Sequence, residues 1–177
     1  NLPTAPREKF AANIAAIQKL KEIEQRVANG GSPAFEDEQR ILAQYTGWGG
    51  LSDAFDPNKS AWSNEYSQLK AALSESEYEA ARSSTLTAFY TPATVIHPIY
   101  RALERFGVKG GKILEPSMGT GAFLAHGHFG SSDAKFYGVE LDSITGRISK
   151  QLYQKANIQV TGYENALLPD NYFDCVI

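Results

Sequence analysis

The stretch from residue 113 to residue 123 places the strongest constraint on what this chain can fold into. Its sequence is Ile-Leu-Glu-Pro-Ser-Met-Gly-Thr-Gly-Ala-Phe. A short apolar run is followed by Glu115 and then by Pro116, which has no backbone donor for a strand ladder. Gly119 and Gly121 open a predicted helix. A strand, a glycine turn and a helix start let backbone N–H groups approach a ligand without an intervening Cβ atom.

The second half of the chain alternates between strand and helix patterns. A helix with Thr91 as its cap and Pro92 in its first turn precedes the sheet, and Gly107 ends it. Further helices are predicted at 120–125 and 143–156, and strands at 112–115, 136–141, 158–163 and 173–177. Such alternation predicts a parallel sheet with right-handed crossovers, which is a doubly wound, Rossmann-like α/β fold.

The first half is predicted to be helical throughout. Apolar residues recur every three to four positions up to Val27, a second helix is predicted over 33–45, and a third one carries Trp62 and Leu69. Ser74 begins a capping box for a fourth helix. We therefore expect two regions, a helical one at 1–84 and an α/β one at 85–177.

A glycine-rich break at 45–50 contains Trp48. The simpler interpretation is a tight loop whose tryptophan fills a gap between helices. The alternative is a loop that lines a ligand or nucleic-acid cleft. No catalytic constellation is visible in this half.

Composition and charge narrow the classes of protein. The chain has 177 residues, a net charge of −3 and one cysteine, Cys175. No apolar run is long enough to predict a membrane span, and a single cysteine favours a reducing, cytoplasmic setting. No basic stripe follows the pattern of a phosphate-tracking surface, so this segment alone is not expected to bind nucleic acid strongly.

Three features should meet beyond the carboxyl ends of the strands, where open α/β sheets bind ligands. The first is the glycine turn. The second is Glu140, nineteen residues after Gly121, where a carboxylate can accept hydrogen bonds from both ribose hydroxyls. The third is the segment 162–165 at the end of the third predicted strand, where Glu164 or Asn165 could contact an adenine amino group.

The residues around the turn discriminate between adenosine ligands. A dinucleotide fingerprint needs a third glycine where Leu124 stands, and the Gly-Lys-Ser/Thr of a P-loop is absent. Glu115 beside the turn would repel phosphate but suits an ammonium group. These conditions favour S-adenosylmethionine, a phosphate-free and positively charged adenosine compound.

With Phe89-Tyr90-Thr91-Pro92 upstream, residues 85–177 resemble the start of an amino-adenine DNA methyltransferase. The family's Tyr-Thr-Pro segment touches the methionine part of the cofactor, its Glu-Pro-x-x-Gly-x-Gly-x-Phe turn surrounds that part, and an acid after the second strand holds the ribose. The resemblance implies cofactor contacts at Tyr90, Thr91, Pro92, Glu115, Pro116, Gly119, Gly121, Phe123 and Glu140.

The whole chain, including the segment 45–50, is similar to the N-terminal part of very large plasmid, phage and conjugative-element proteins. Those proteins join a methylase-like domain to a Swi/Snf-type helicase. The resemblance implies DNA as a partner of the full-length protein, together with the C-terminal remainder of the parent chain and a helicase domain.

Two positions depart from the family pattern. The acid expected near the end of the third strand aligns with Asn165, an amide, and Glu164 stands beside it. The family's catalytic Asn/Asp-Pro-Pro-Tyr/Phe motif follows the fourth strand, where this chain stops at Ile177 in a predicted strand with an open apolar edge. We expect a fragment that binds the cofactor, carries no catalytic residue and is inactive alone.

Several alternatives stay open at this point. The chain could be a non-catalytic methylase-like module for assembly or DNA docking, or part of a methyltransferase that acts on protein or RNA. Within the site, Asp142 could take the role of Glu140, and Tyr90 could be a core residue. The pair His126 and His128 lacks a third ligand nearby, so no metal site is predicted.

Overall fold

The computed structural model describes residues 2–127 and 133–177. It divides the chain into two compact units, Asn1–Phe89 and Tyr90–Ile177. We call them the helical unit and the sheet unit. No helix among the described residues is long and apolar enough to cross a membrane.

The helical unit contains four α-helices, which confirm the predicted order. They are α1 (Pro6–Ala28), α2 (Glu36–Leu42), α3 (Ser63–Ala72) and α4 (Glu75–Ser84), with 3-10 turns at Ser52–Phe55 and Ser60–Trp62. The apolar stripe of α1 is buried from Phe10 to Ile23, and each such side chain contributes about 1.5–3 kcal/mol, whereas Val27 at the end of the predicted stripe is exposed. The predicted capping box is present, because Ser74 and Glu77 bond to each other's backbone N–H groups. Helix α2 is shorter than predicted, since the chain turns after Leu42 into the glycine-rich loop.

Trp48 is a core residue, as the simpler interpretation predicted. Its ring is 1% exposed and makes edge contacts with Phe55 and Tyr45. The amide of Asn13, which is itself buried, donates to the carbonyl of Gly47 at 2.6 Å and accepts from the N–H of Thr46 at 2.8 Å. These contacts fix the glycine-rich loop to α1.

The described residues of the sheet unit form four parallel strands in the order β3-β2-β1-β4. Its elements are α5 (Ala93–Arg105), β1 (Lys112–Glu115), α6 (Ala122–His126), β2 (Lys135–Glu140), α7 (Ser143–Leu152), β3 (Asn157–Val160) and β4 (Cys175–Val176). The prediction of a parallel α/β sheet is confirmed. The prediction that Thr91 caps α5 is wrong: Pro92 is the N-cap, and no side chain bonds to this helix end.

Three helices pack on one face of the sheet. Ile113 of β1 belongs to a core cluster with residues of α5 and α6. Gly146 of α7 lies against Val160 of β3. In the sheet, Ile113 pairs with Phe136 of β2, and Val160 pairs with Glu140 of the same strand. Alternate residues of a strand point to the same face, so Phe136 and Glu140 share a face. Their partners Ile113 and Val160 therefore lie on that face too.

The opposite face carries an irregular segment. Residues 161–174 connect β3 to β4 with only a 3-10 turn, at Tyr163–Asn165. The amide of Gln159 bonds to both backbone groups of Leu167, and the ring of Tyr137 contacts Tyr172 and Phe173 at 5.6 and 5.2 Å between centroids. The described residues therefore place no α-helix on this second face.

Candidate functional site

The strand order reverses its direction at β1. From β1 the chain moves outward to β2 and β3, and then crosses back to add β4 on the other side of β1. Ligand crevices of open α/β sheets lie beyond the carboxyl ends of the strands at such a point. The glycine turn between β1 and α6 occupies this place.

The glycine turn requires backbone conformations that other residues seldom adopt. Gly119 has a φ of 54° and Gly121 a φ of 76°. A Cβ atom at Gly119 would lie 2.7 Å from the ring of Tyr90, and one at Gly121 would overlap the ring of Tyr153. Two aromatic rings therefore pack directly on the turn, and only glycine leaves room for them.

Hydrogen bonds hold both sides of the Gly119 residue. Its N–H donates to Oε2 of Glu140 at 2.7 Å, and its carbonyl accepts from the hydroxyl of Ser149 at 2.9 Å. The other carboxylate oxygen of Glu140 accepts from the N–H of Asp142 at 2.8 Å. We call this arrangement the Gly119 clamp. It fixes the turn from the end of β2 and from α7.

Glu140 is placed where the sequence predicted it, at the end of β2. Burial raises the pKa of its carboxyl, and the backbone N–H groups of Asp142 and Gly119 oppose that rise. Asp142 has a separate task, because it is the N-cap of α7 and accepts from the N–H of Thr145 at 2.7 Å. A carboxylate has about four lone-pair sites, so Glu140 retains acceptor capacity for a ligand.

Glu115, at the end of β1, is 6% exposed. Its Oε2 atom has no hydrogen-bond partner among the described residues. Burial, and then the charge of Glu140, raise the pKa of this carboxyl to about 8. An ionised carboxylate without a partner is strongly disfavoured inside a protein, so Glu115 is a neutral acid at pH 7.

Of the predicted Tyr90-Thr91-Pro92 segment, Tyr90 contributes most to the site. Its ring covers Gly119, and its hydroxyl bonds to the side chain of Thr145 on α7. Burial raises the pKa of the Tyr90 hydroxyl. Thr91 is half-buried, and Pro92 is exposed at the start of α5.

Pro116 and Phe123 lie on the two sides of the glycine turn. Pro116 is half-buried in the turn that follows β1. Phe123 lies on α6, packs on the core cluster and contacts Tyr100 with 6.3 Å between ring centroids. The carbonyl of Phe123 accepts from the Tyr100 hydroxyl at 2.9 Å. Phe123 therefore stabilises α6 against α5.

Glu164 and Asn165 follow β3, as predicted, but the strand ends earlier than the predicted residue 163. The strand ends at Val160, and both residues are exposed in the 3-10 turn that follows. A Cβ atom at Gly162, which precedes this turn, would overlap the carboxylate of Glu164. The amide nitrogen of Asn165 donates to Oε1 of Glu164 at 3.0 Å.

Sequence reasoning missed the residues that α7 supplies. Thr145, Ser149 and Tyr153, the last just past the helix end, follow one another at intervals of four. Ser149 and Tyr153 contact the glycine turn, and Thr145 bonds to Tyr90, whose ring covers it. Next to this stripe run the apolar residues Ile144 and Ile148. The interval itself was a usable signal, since residues four apart share a helix face.

The histidines form no described metal centre. The rings of His97 and His126 lie 5.8 Å apart. His128 lies outside the described residues. No group of three or more metal-binding side chains occurs in the described part of the chain.

Comparisons with known proteins agree with part of the predicted resemblance. The chain is 28% identical over 149 residues to "Defense against restriction protein B" of Escherichia phage P1, a match that covers 83% of the chain and 5% of that protein. It is 31% identical over 90 residues to "Modification methylase CviBIII" of Paramecium bursaria Chlorella virus NC1A, which covers 50% of the chain and 24% of that protein. No protein-family model matches the chain.

The two matches cover different shares of the chain, 83% and 50%. The one to the phage protein is longer than the sheet unit and therefore extends into the helical unit. The chain spans only a small part of either relative. The predicted similarity to a phage protein and to a methylase is thereby confirmed. The names of these two relatives do not mention a helicase, so that association stays a prediction.

Proposed function

We propose that this chain is the S-adenosylmethionine-binding portion of a DNA adenine methyltransferase. The observation that carries the proposal is the Gly119 clamp next to a buried acid without a partner. A plain strand-to-helix turn needs neither a carboxylate on its first glycine nor an unpaired Glu115 behind it. The similarity to a modification methylase supports the same reaction class.

The residues fit the chemical groups of this cofactor. Glu140 can accept from both ribose hydroxyls while it keeps its bonds to backbone N–H groups. Glu115 can pair with the ammonium group of the methionine part. Half-buried Leu124 stands where a dinucleotide site would need glycine, and the carboxylate of Glu140 disfavours phosphate.

The adenine end would lie between the turns after β2 and β3. Leu141, directly after Glu140, is 76% exposed and offers an apolar surface for a ring. The amide nitrogen of Asn165 is engaged with Glu164. Acceptors for the adenine amino group are then the second carboxylate oxygen of Glu164 and the carbonyl oxygen of Asn165.

The bound cofactor would supply an electrophilic methyl group. The residues of this chain would bind and orient it. These 177 residues contain no Asn/Asp-Pro-Pro-Tyr/Phe motif, so we expect no methylation of DNA by them alone. DNA, the remainder of the parent chain and a helicase domain are the proposed partners, in a cytoplasmic setting.

Calorimetric titration with S-adenosylmethionine tests the proposal. Binding should be measurable for the wild-type chain and should weaken at least tenfold, about 1.4 kcal/mol, in Glu140→Ala, because the clamp and the ribose acceptor are lost together. Glu104→Ala, which removes an exposed acid on α5, is the matched control. The cofactor proposal fails if a folded wild-type chain shows no binding, and the role of Glu140 fails if the variant binds equally well.

A second candidate is a non-catalytic methylase-like module. The longer match to the phage protein favours it, since the similarity there includes the helical unit and that relative is named for defence against restriction. Methyl incorporation into DNA by the parent protein separates the two. Incorporation supports the enzyme, whereas cofactor binding with no incorporation supports the module.

A further inference from the structure

Glu115 is surrounded by groups that do not neutralise a negative charge. Glu140 faces it from β2, Tyr100 from α5, and Tyr153 from the end of α7. Cys175 of β4 lies close to Tyr100. None of the ion pairs formed by the described residues involves Glu115.

The protonation state of the Glu115 carboxyl should therefore depend on whether a cation is bound next to it. Without a ligand it is buried, its Oε2 atom has no partner, and its pKa is raised to about 8. The turn that follows it in the chain is bonded to Glu140 through the N–H of Gly119, and the rings of Tyr90 and Tyr153 pack on its two glycines. A cation bound next to the Glu115 carboxyl would provide the charged partner that the described residues do not provide.

We propose that binding of a ligand ammonium group ionises Glu115, so that cofactor binding releases a proton. This inference rests on the proposed function. The O–H bond of the carboxyl breaks and its proton passes to solvent. The carboxylate then accepts an N–H bond from the ammonium group, and no covalent bond to the ligand forms.

The coupling has a defined pH dependence. Below pH 7 the free acid is protonated and the ligand carries its ammonium, so binding releases close to one proton and affinity rises about tenfold per pH unit. Above about pH 8 the acid is already ionised, and an ordinary α-amino group begins to lose its own proton. Affinity should therefore be greatest near pH 8.

Calorimetry at about pH 6.5 in phosphate and in imidazole buffer measures this proton directly. The two buffers differ in ionisation enthalpy, so the difference in observed heat gives the number of protons released per ligand bound. We expect about one proton for S-adenosylmethionine and for S-adenosylhomocysteine. 5′-Methylthioadenosine keeps the adenosine but lacks the ammonium, and should release about none. Because 5′-methylthioadenosine retains the ribose, it also measures any proton that Glu140 releases on binding.

Glu115→Gln should bind S-adenosylmethionine more weakly and with no proton release. Binding by the wild-type chain without proton release, or equal release by Glu115→Gln, overturns the inference and leaves the proposed function standing. Absence of binding at any pH by a folded wild-type chain overturns the proposed function instead. If the variant does not fold, the comparison of S-adenosylmethionine with 5′-methylthioadenosine on the wild-type chain decides alone.

Discussion

The helical unit and the sheet unit each bury an acidic side chain, and the pKa values of the two carboxyls are shifted in opposite directions. Glu38 of the helical unit accepts two bonds from Arg26, at 2.7 and 2.6 Å, and one from the N–H of Phe35 at 2.9 Å. These bonds lower the pKa of Glu38 to about 2. Burial without a partner raises that of Glu115 to about 8. The helical unit pairs this buried acid with an arginine of its own, whereas Glu115 forms none of the ion pairs of the described residues and its Oε2 atom has no hydrogen-bond partner among them.

The two Gly-x-Gly segments show the same contrast. In Gly47-Trp48-Gly49 the middle side chain is core, and a Cβ atom at Gly49 would overlap the carbonyl of Ala88. In Gly119-Thr120-Gly121 the middle side chain is half-buried, and the first N–H is bonded by a carboxylate from another strand. The Gly-x-Gly motif alone therefore does not distinguish a turn whose middle residue is a core side chain from a turn whose first N–H donates to a carboxylate of another strand.

The largest expected change in the free energy of unfolding is in the helical unit. Trp48→Ala should lower the free energy of unfolding by about 3–5 kcal/mol, since it empties a buried ring position. The fluorescence of Trp62, which also lies in this unit, reports its unfolding in urea. Trp48→Phe is the control and should lose less. A loss below about 1 kcal/mol for the alanine variant would show that the ring is not a core anchor.

Glu115→Gln should act in the opposite direction and depend on pH. Between about pH 4.5 and pH 8 the folded wild-type chain binds one proton more than the unfolded chain, so its stability falls as pH rises, by at most about 1.4 kcal/mol per pH unit. Glutamine has no such proton. The variant should therefore be more stable than wild type by roughly 2–4 kcal/mol at pH 8.5 and should lose this advantage near pH 5. Hydrogen exchange of the β1 amides at the two pH values measures the difference. A variant less stable than wild type at both would contradict it.

Glu38→Gln is the matched change in the helical unit. It should lower the free energy of unfolding by about 2 kcal/mol at pH 7, because the charged bonds to Arg26 are lost. The folded pKa lies below the unfolded value of 4.5, so the wild-type advantage is present above pH 4.5 and is lost as pH falls towards 2. Urea unfolding followed by tryptophan fluorescence at pH 7 and pH 3 tests the sign. An increase in stability at pH 7 would refute the contrast with Glu115.

The smallest expected change in stability is in the sheet unit, at the Gly119 clamp. Ser149→Ala removes the hydroxyl that donates to the Gly119 carbonyl, and should cost about 1 kcal/mol of stability. If the turn binds a ligand, affinity for S-adenosylmethionine should fall roughly fivefold. Exchange of the Gly119 and Gly121 amides should accelerate, whereas the exposed-site control Lys150→Ala should change neither quantity. Unchanged exchange at both glycines would remove Ser149 from the clamp.

Much of the fold could be predicted from local patterns. Strand β1 has the predicted bounds, α1 and α4 begin where Pro6 and the capping box at Ser74 indicate, and Gly107 follows α5 in the left-handed conformation of a helix end. Two element ends differ from their predicted positions. The N-cap of α5 moved from Thr91 to Pro92, and the β3 ladder stopped before Glu164.

The sequence by itself determined the parallel sheet, the glycine turn between β1 and α6, and the place of Glu140, because periodicity, glycine and chain spacing are local properties. Only the tertiary structure decided that Glu140 holds the N–H of Gly119, that Ser149 and Tyr153 reach the turn from α7, and that Glu115 is buried without a partner. Burial and pairing depend on residues distant in the chain, and they set the charge of a carboxyl more strongly than its neighbours in sequence do.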